Sequence, residues 1–175
     1  MASNIGTGPQ DIPINAYLGQ QAFLDQPPER PACLVHHVND QNNPGGSINP
    51  HGNTLQTQIF ADVRFDNYGA YDISTGEYTV PQRGLYCMTV SANMGCNTPG
   101  SWVSCWLYLN GVSYQRAYMN KDIQDGTWFY RTQQFFVPCE KGDVIDLRCQ
   151  TSGTGATFWY DDDGKYTAFA IHMVS

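Results

Sequence analysis

The stretch from Phe65 to Met94, FDNYGAYDISTGEYTVPQRGLYCMTVSANM, constrains what the whole chain can fold into. Tyr86, Met88, Val90 and Ala92 recur with a period of two, which puts them on one face of a pleated strand. No stripe of helical period competes. Thr75 and Gly76 read as a turn, and Glu77 to Val80 alternates polar and apolar residues. Pro81 stops that run, because it has no N–H to give to a ladder. Gly84 then opens the strand that starts at Leu85. Two strands with this punctuation need further strands to pair with, so the rest of the chain must supply a sheet.

It does so at short intervals. Pro31 to Val38 (PACLVHHV) reads as a first strand, and Asn39 to Asn53 as a loop of Gly, Pro and Asn. Leu55 to Phe65 resumes alternation, with Leu55, Thr57 and Ile59 on one face. Gly95 to Gly100 is loop. Trp102 to Leu109 places Val103, Cys105, Leu107 and Leu109 on one face and Trp102, Trp106 and Tyr108 on the other. Asn110-Gly111 signals a type I′ hairpin, because both residues tolerate positive φ, and Val112 to Met119 returns from it. Asn120 to Gly126 forms a polar tip, Thr127 to Val137 an aromatic strand, and Pro138 to Gly142 a turn. Asp143 to Gln150 directs Ile145, Leu147 and Cys149 inward, Thr151 to Gly155 is a flexible link, and Tyr166 to Val174 closes the chain. Nine or ten short strands with frequent turn signals predict an all-β sandwich or barrel. Many strands are apolar on both faces. One face then meets the opposite sheet and the other a neighbouring subunit.

A chain of 175 residues can bury one good core and carry one appendage. Its net charge of −7, with nine dispersed cations, argues against nucleic acid, whose phosphates need clustered Lys and Arg. MASNIGTGPQDIP has no charged and apolar leader pattern, and no run reaches the ~20 apolar residues of a membrane span. A soluble protein without membrane insertion or a secretion route is expected. Its six cysteines (33, 87, 96, 105, 139 and 149) contain no C-x-x-C pair and no zinc spacing. Cys87, Cys105 and Cys149 sit in strand-like runs, where a thiol packs as a small hydrophobe, so mostly free thiols are expected. Cys96, in a loop, is the exception best placed to form a bridge.

Residues 1–30 are different in kind. Pro9, Pro13, Pro27 and Pro28 interrupt them, and Ile12, Ile14, Tyr17, Leu18, Phe23 and Leu24 are apolar at irregular spacing. Only Asn15 to Asp25 suits a short helix, with Asn15 as its N-cap. A segment that cannot bury its own apolar groups is disordered or docks on something else. The expected organisation is an attachment arm over 1–30 and one β domain over 31–175, with the six apolar arm residues binding a partner.

From Pro31 to Ser175 the chain resembles the complement C1q/tumour necrosis factor jelly roll. The resemblance rests on PACLV, on VRFDNYGAYDISTGEYTVPQRGLYCMTV, on EKGD ahead of VIDLRC, and on the terminal YTAFAIHMV. It implies a ten-stranded sandwich and a homotrimer. IGTGPQDIPINAYLGQQAFLD in turn resembles the N-terminal tag of structural and tail-fibre proteins of tailed bacteriophages, including marine phages and cyanophages. The two resemblances together imply a virion protein, a trimeric knob held to the particle by its arm and assembled in the host cytoplasm. Surplus aromatic residues nominate Trp102, Trp106, Tyr108, Trp128, Tyr130, Phe158 and Trp159 for the trimer interface, with ordinary sandwich core as the alternative for each.

Chemistry is sparse. Asp161, Asp162 and Asp163 form an acidic cluster whose hard oxygens suit calcium. The spacing does not fit an EF-hand, since the twelfth position is His172, and a solvated turn is the simpler reading. His36 and His37 point to opposite faces of a strand, and His51 and His172 lie apart from them, so structural roles are expected. Asp122 and Asp125 lack a groove for glycoside cleavage. No nucleophile elbow, phosphate loop or zinc signature is present. No enzymatic activity and no cofactor are expected, calcium excepted. Three roles follow: a capsid decoration, cement or head-fibre protein bound to capsid or tail proteins through the arm; a tail-fibre tip that contacts a host surface glycan or protein; and a secreted C1q-like recognition module. The arm is too short and has no repeat with which to build a shaft, which favours the first.

Overall fold

A computed structural model describes residues 29–36, 55–96, 101–123, 127–151, 156–159 and 167–175 of the chain. All of the regular structure among these residues is β. The strands are β1 (Ala32–His36), β2 (Gln56–Thr57), β3 (Asp62–Asp66), β4 (Tyr71–Asp72), β5 (Glu77–Thr79) and β6 (Gly84–Cys96). They continue with β7 (Ser101–Leu109), β8 (Val112–Ile123), β9 (Thr127–Cys139), β10 (Val144–Thr151), β11 (Ala156–Trp159) and β12 (Ala168–Met173). Ten of these are three residues or longer, and β2 and β4 are two-residue pairings.

Two antiparallel sheets result. In the first, β6 is the hub: it pairs with β9 from Gly84 to Cys96 along one side, and with β12 and then β11 along the other. Beyond β12 lie β1 and the edge strand β3. In the second, β10 is the hub, with β7 and then β8 on one side and β5 and β2 on the other. Tyr86, Met88, Val90 and Ala92 all point into the space between the sheets and are buried, as their period required. They meet Phe135, Val137, Phe169 and Ile171 of their own sheet and Val103, Leu107, Ile145 and Leu147 of the other in one continuous core.

The residues that carry the C1q-like resemblance turn out to be scaffold. Asn67 accepts the Ala32 N–H at 2.8 Å and donates to the Arg30 carbonyl at 2.9 Å, and the Tyr68 hydroxyl donates to the Glu29 carbonyl. These bonds fix the segment that leads into β1. The buried Tyr71 hydroxyl accepts the Phe60 N–H at 2.9 Å. Asp72 caps the next turn by accepting both the N–H and the hydroxyl of Ser74. Gly76 ends that turn at φ +76°, where a Cβ would lie 2.5 Å from the Gln58 carbonyl oxygen, so only glycine fits. Asn110 (φ 52°) and Gly111 (φ 74°) form the hairpin with the two positive φ values its sequence called for.

Two expectations are corrected, and one strand is added. Cys105 and Cys149 are not free thiols: they lie directly opposite each other in β7 and β10, both face the core, and they form a disulfide. Cys33, Cys87 and Cys139 are free and buried, while the side chain of Cys96 lies outside the described residues. Pro138 does not begin a turn. It continues β9, an edge strand whose outer side needs no N–H from it. Ala156–Trp159, to which the sequence pattern assigns no strand, forms β11 because β6 is long enough to pair with it after β12 ends. Residues 1–28 of the arm, the proposed helix within it, the Asn39–Asn53 loop and Asp161 to Asp163 lie outside the described residues.

Candidate interaction faces

Each sheet has an outer face, and the two differ in chemistry. On the first sheet, outward residues alternate with the buried set. They are Leu85, Cys87, Thr89 and Ser91 on β6; Thr132, Gln134, Phe136 and Pro138 on β9; Ala168, Ala170 and His172 on β12; and Ala32, Leu34 and His36 on β1. Registration lines them up in rows, Phe136–Cys87–His172–Ala32 and then Gln134–Thr89–Ala170–Leu34. None of these residues is Asp, Glu, Lys or Arg. The face is uncharged, with Ala, Ser, Thr and Cys at its centre, and its rims are apolar. Phe136 is 57% exposed on β9, and Phe65, opposite Leu34 on β3, is 48% exposed. Charge begins only at the far corner, where Asp62 pairs with Arg64.

The outer face of the second sheet carries aromatic rings capped by guanidinium groups. Arg116 of β8 lies over the Trp106 ring of β7 at 4.3 Å, and Arg148 of β10 lies over the Tyr108 ring at 4.1 Å. Arg148 also donates from Nε and Nη2 to the two oxygens of Asp146, at 2.6 and 2.8 Å. Asp146 is 1% exposed, so its carboxylate is buried under the group that neutralises it. That bond, with the negative charges of Asp146 and Glu77 near it, outweighs the desolvation of Arg148 and holds its proton more tightly. The Trp106 indole N–H donates to Ser104 Oγ at 3.2 Å, which fixes the ring.

The aromatic residues nominated for one interface therefore separate. Trp102, Trp106 and Tyr108 belong to the second sheet's outer face, whereas Tyr130 stands on β9 of the first sheet and is 51% exposed. Trp128 lies on β9 and Phe158 and Trp159 on β11, all first-sheet strands, with side chains outside the described residues. The outer row of β6 and β12 was not singled out from sequence, although its lack of charge could have been read there. Arg116 and Arg148 were passed over as dispersed cations, because only the sheet brings them to either side of β7.

A shallow recess of about 220 Å³ lies between the turns at the base, lined by Arg83, Gly84, Pro138, Cys139, Glu140 and Asp143. The Arg83–Glu140 ion pair, at 3.2 Å, is exposed there. Burial and then Asp143 push the Cys139 thiol up to about 11, so it is a poor nucleophile at neutral pH. No three His, Cys, Asp or Glu side chains among the described residues are placed to hold a metal ion. No helix among them is long and apolar enough to cross a membrane.

Comparison with known proteins agrees with the architecture. The sequence profile of the C1q domain matches residues 47–174. The globular domain of zebrafish complement 1qA protein superposes with a TM-score of 0.59 at 16% identity, covering 83% of this chain and 98% of that one. That similarity is one of fold. Among curated protein sequences, none matches the chain.

Proposed function

We propose, from the premise that the chain belongs to the C1q domain family, that it is a non-enzymatic homotrimeric knob displayed on a particle surface. In this reading residues 1–30 anchor it, and the particle is the virion of a tailed bacteriophage, as a capsid decoration, cement or head-fibre component. The observation that carries the trimer is the charge-free outer face of the first sheet. Four strands at ~4.8 Å spacing and about seven residues at ~3.3 Å give a face of roughly 450 Å². Its apolar residues, Leu34, Leu85, Phe136 and Ala170 among them, are interspersed with Thr89, Ser91 and Gln134, and a mixed, uncharged surface of this kind suits the centre of an interface. The two rims of the face are separate surfaces on different strands, Phe136 on β9 and Phe65 on β3, so the β9 side of one subunit can meet the β3 side of the next. A closed ring needs two unlike patches per subunit.

The virion assignment rests on the arm's resemblance to phage tags. A second reading, a secreted recognition module, draws support from the Cys105–Cys149 disulfide, since such bonds persist in oxidising compartments. Light scattering at micromolar concentration is expected to give a trimer for the intact chain and a folded monomer for Ala170→Arg. A monomeric intact chain refutes the assembly. Deleting residues 2 to 26 is expected to leave the trimer but abolish incorporation into particles, and a truncated protein that still attaches refutes the anchor.

A further inference from the structure

We infer that His172 makes the assembly pH-sensitive: the trimer holds while this imidazole is neutral and separates into folded protomers once it is protonated. The inference rests on the trimer proposed above and adds the condition under which that trimer comes apart.

The placement of the residue is what matters. His172 lies on β12, inside the uncharged face of the first sheet, and it is exposed in the single chain. Its neighbours on the face bring no charge to it. Cys87 of β6 stands directly opposite on one side and Ala32 of β1 on the other, with Phe136 of β9 beyond Cys87. Leu85 and Thr89 on β6 and Leu34 on β1 occupy the diagonal positions, and Ala170 continues the row along β12. The acids of the adjoining segments are engaged elsewhere. Asp66 accepts the Tyr68 and Tyr71 N–H groups, and Asp62 pairs with Arg64 at the far corner. Just past the end of β12, Arg30 donates to the Val174 carbonyl. It is a cation, so it offers no partner to a second one.

A proton on His172 therefore finds no acid on its own protomer to balance it. In the free protomer, water solvates the charge. Under a neighbouring subunit that water is removed, and an unpaired buried charge is unfavourable enough to open the interface instead. The free protomer thus binds the proton and the trimer does not, so assembly strengthens as pH rises and is lost as pH falls. An ordinary imidazole takes up its proton near pH ~6.5, which sets the window. Three copies bind three protons on separating, so the trimer dissociation constant rises by up to roughly a thousand-fold per pH unit below that window.

The face carries a second imidazole in a different setting. His36 of β1 lies opposite Asp62. A proton there meets a carboxylate at the same corner, which makes His36 the control.

The test is sedimentation velocity on the full chain at micromolar concentration and fixed ionic strength, from about pH 8 to about pH 5.5. Wild type is expected to run as a trimer at the upper end and as a monomer at the lower, with its β circular dichroism retained. His172→Gln, which stays neutral, is expected to remain trimeric throughout, and His172→Lys, which stays charged, to be monomeric throughout. His36→Gln is expected to keep the wild-type transition. A wild-type trimer indifferent to pH, a transition that survives in His172→Gln, a trimeric His172→Lys, or dissociation only with loss of the β signal each overturns the switch and leaves the trimer standing. A monomer at the upper end refutes the trimer itself, and the switch with it.

Discussion

The Cys105–Cys149 bridge offers a direct measurement of how the second sheet is held. The two residues are opposite each other in β7 and β10, both with no solvent exposure, and are separated by 44 positions. The bond closes a loop that contains β8, β9 and the turns between them, so it ties the second sheet's two central strands across a crossover to the first sheet and back. Cross-linking removes loop-closure freedom from the unfolded chain, and for a loop of this length the chain-entropy relation gives about 4 kcal/mol at 25 °C. At roughly 2–4 °C per kcal/mol for a domain of this size, that corresponds to a melting-temperature loss of about 8–16 °C. The perturbation is Cys105→Ala with Cys149→Ala, which removes both sulfurs and leaves no unpaired thiol behind. The assay is urea unfolding followed by circular dichroism at fixed protomer concentration, because assembly adds its own concentration-dependent stability. Wild-type protein under reductant, once the bond has opened, is expected to approach the double variant. A double variant within about 1 kcal/mol of wild type refutes the entropic argument. An intact mass corresponding to six thiols refutes the bridge itself.

Two further outcomes follow from buried hydroxyls and thiols. The Tyr78 hydroxyl is buried without a hydrogen-bond partner, whereas the Tyr71 hydroxyl accepts the buried Phe60 N–H. Tyr78→Phe is therefore expected to leave stability unchanged or raise it, while Tyr71→Phe lowers it by about 1–3 kcal/mol by orphaning that N–H; equal effects in urea melts refute the distinction. Burial and then Asp66 push the Cys33 thiol from 9.0 up to about 12, and burial with Asp143 pushes Cys139 from 9.0 up to about 11. Because the folded state holds these protons more tightly, their contribution is complete below pH 9 and is lost as pH rises towards 11 and 12. Melting temperature is expected to fall across that window, less steeply in Cys33→Ala; a profile identical to wild type refutes the assignment to Cys33.

Local pattern and sheet membership are different kinds of information, and the residues show where one ends and the other begins. Period two alone placed Tyr86, Met88, Val90 and Ala92 in the core and Val103, Cys105 and Leu107 opposite them, and all are buried. Turn chemistry alone placed Asn110-Gly111 and Gly76, since only certain backbones reach their φ values. Which sheet a strand joins is not written in its own residues. β6 and β7 are consecutive and alternate in the same way, yet they belong to different sheets, and so do β8 and β9. Trp106 and Tyr130 therefore look equivalent along the chain and lie on opposite surfaces of the sandwich. The same long-range pairing brings Cys105 to Cys149 and Arg116 and Arg148 to either side of β7, none of which sequence spacing discloses. What was legible, and passed over, is the complement of the core pattern. Leu85, Cys87, Thr89 and Ser91 are the off-period residues of the strand that first marked the chain as β, and Ala168 and Ala170 are those of the strand beside it. An outward row on a solvated sheet normally collects charge. A row that carries none on four neighbouring strands points to an uncharged surface that covers it, and in a closed ring of three copies that surface is an unlike patch of the neighbouring copy.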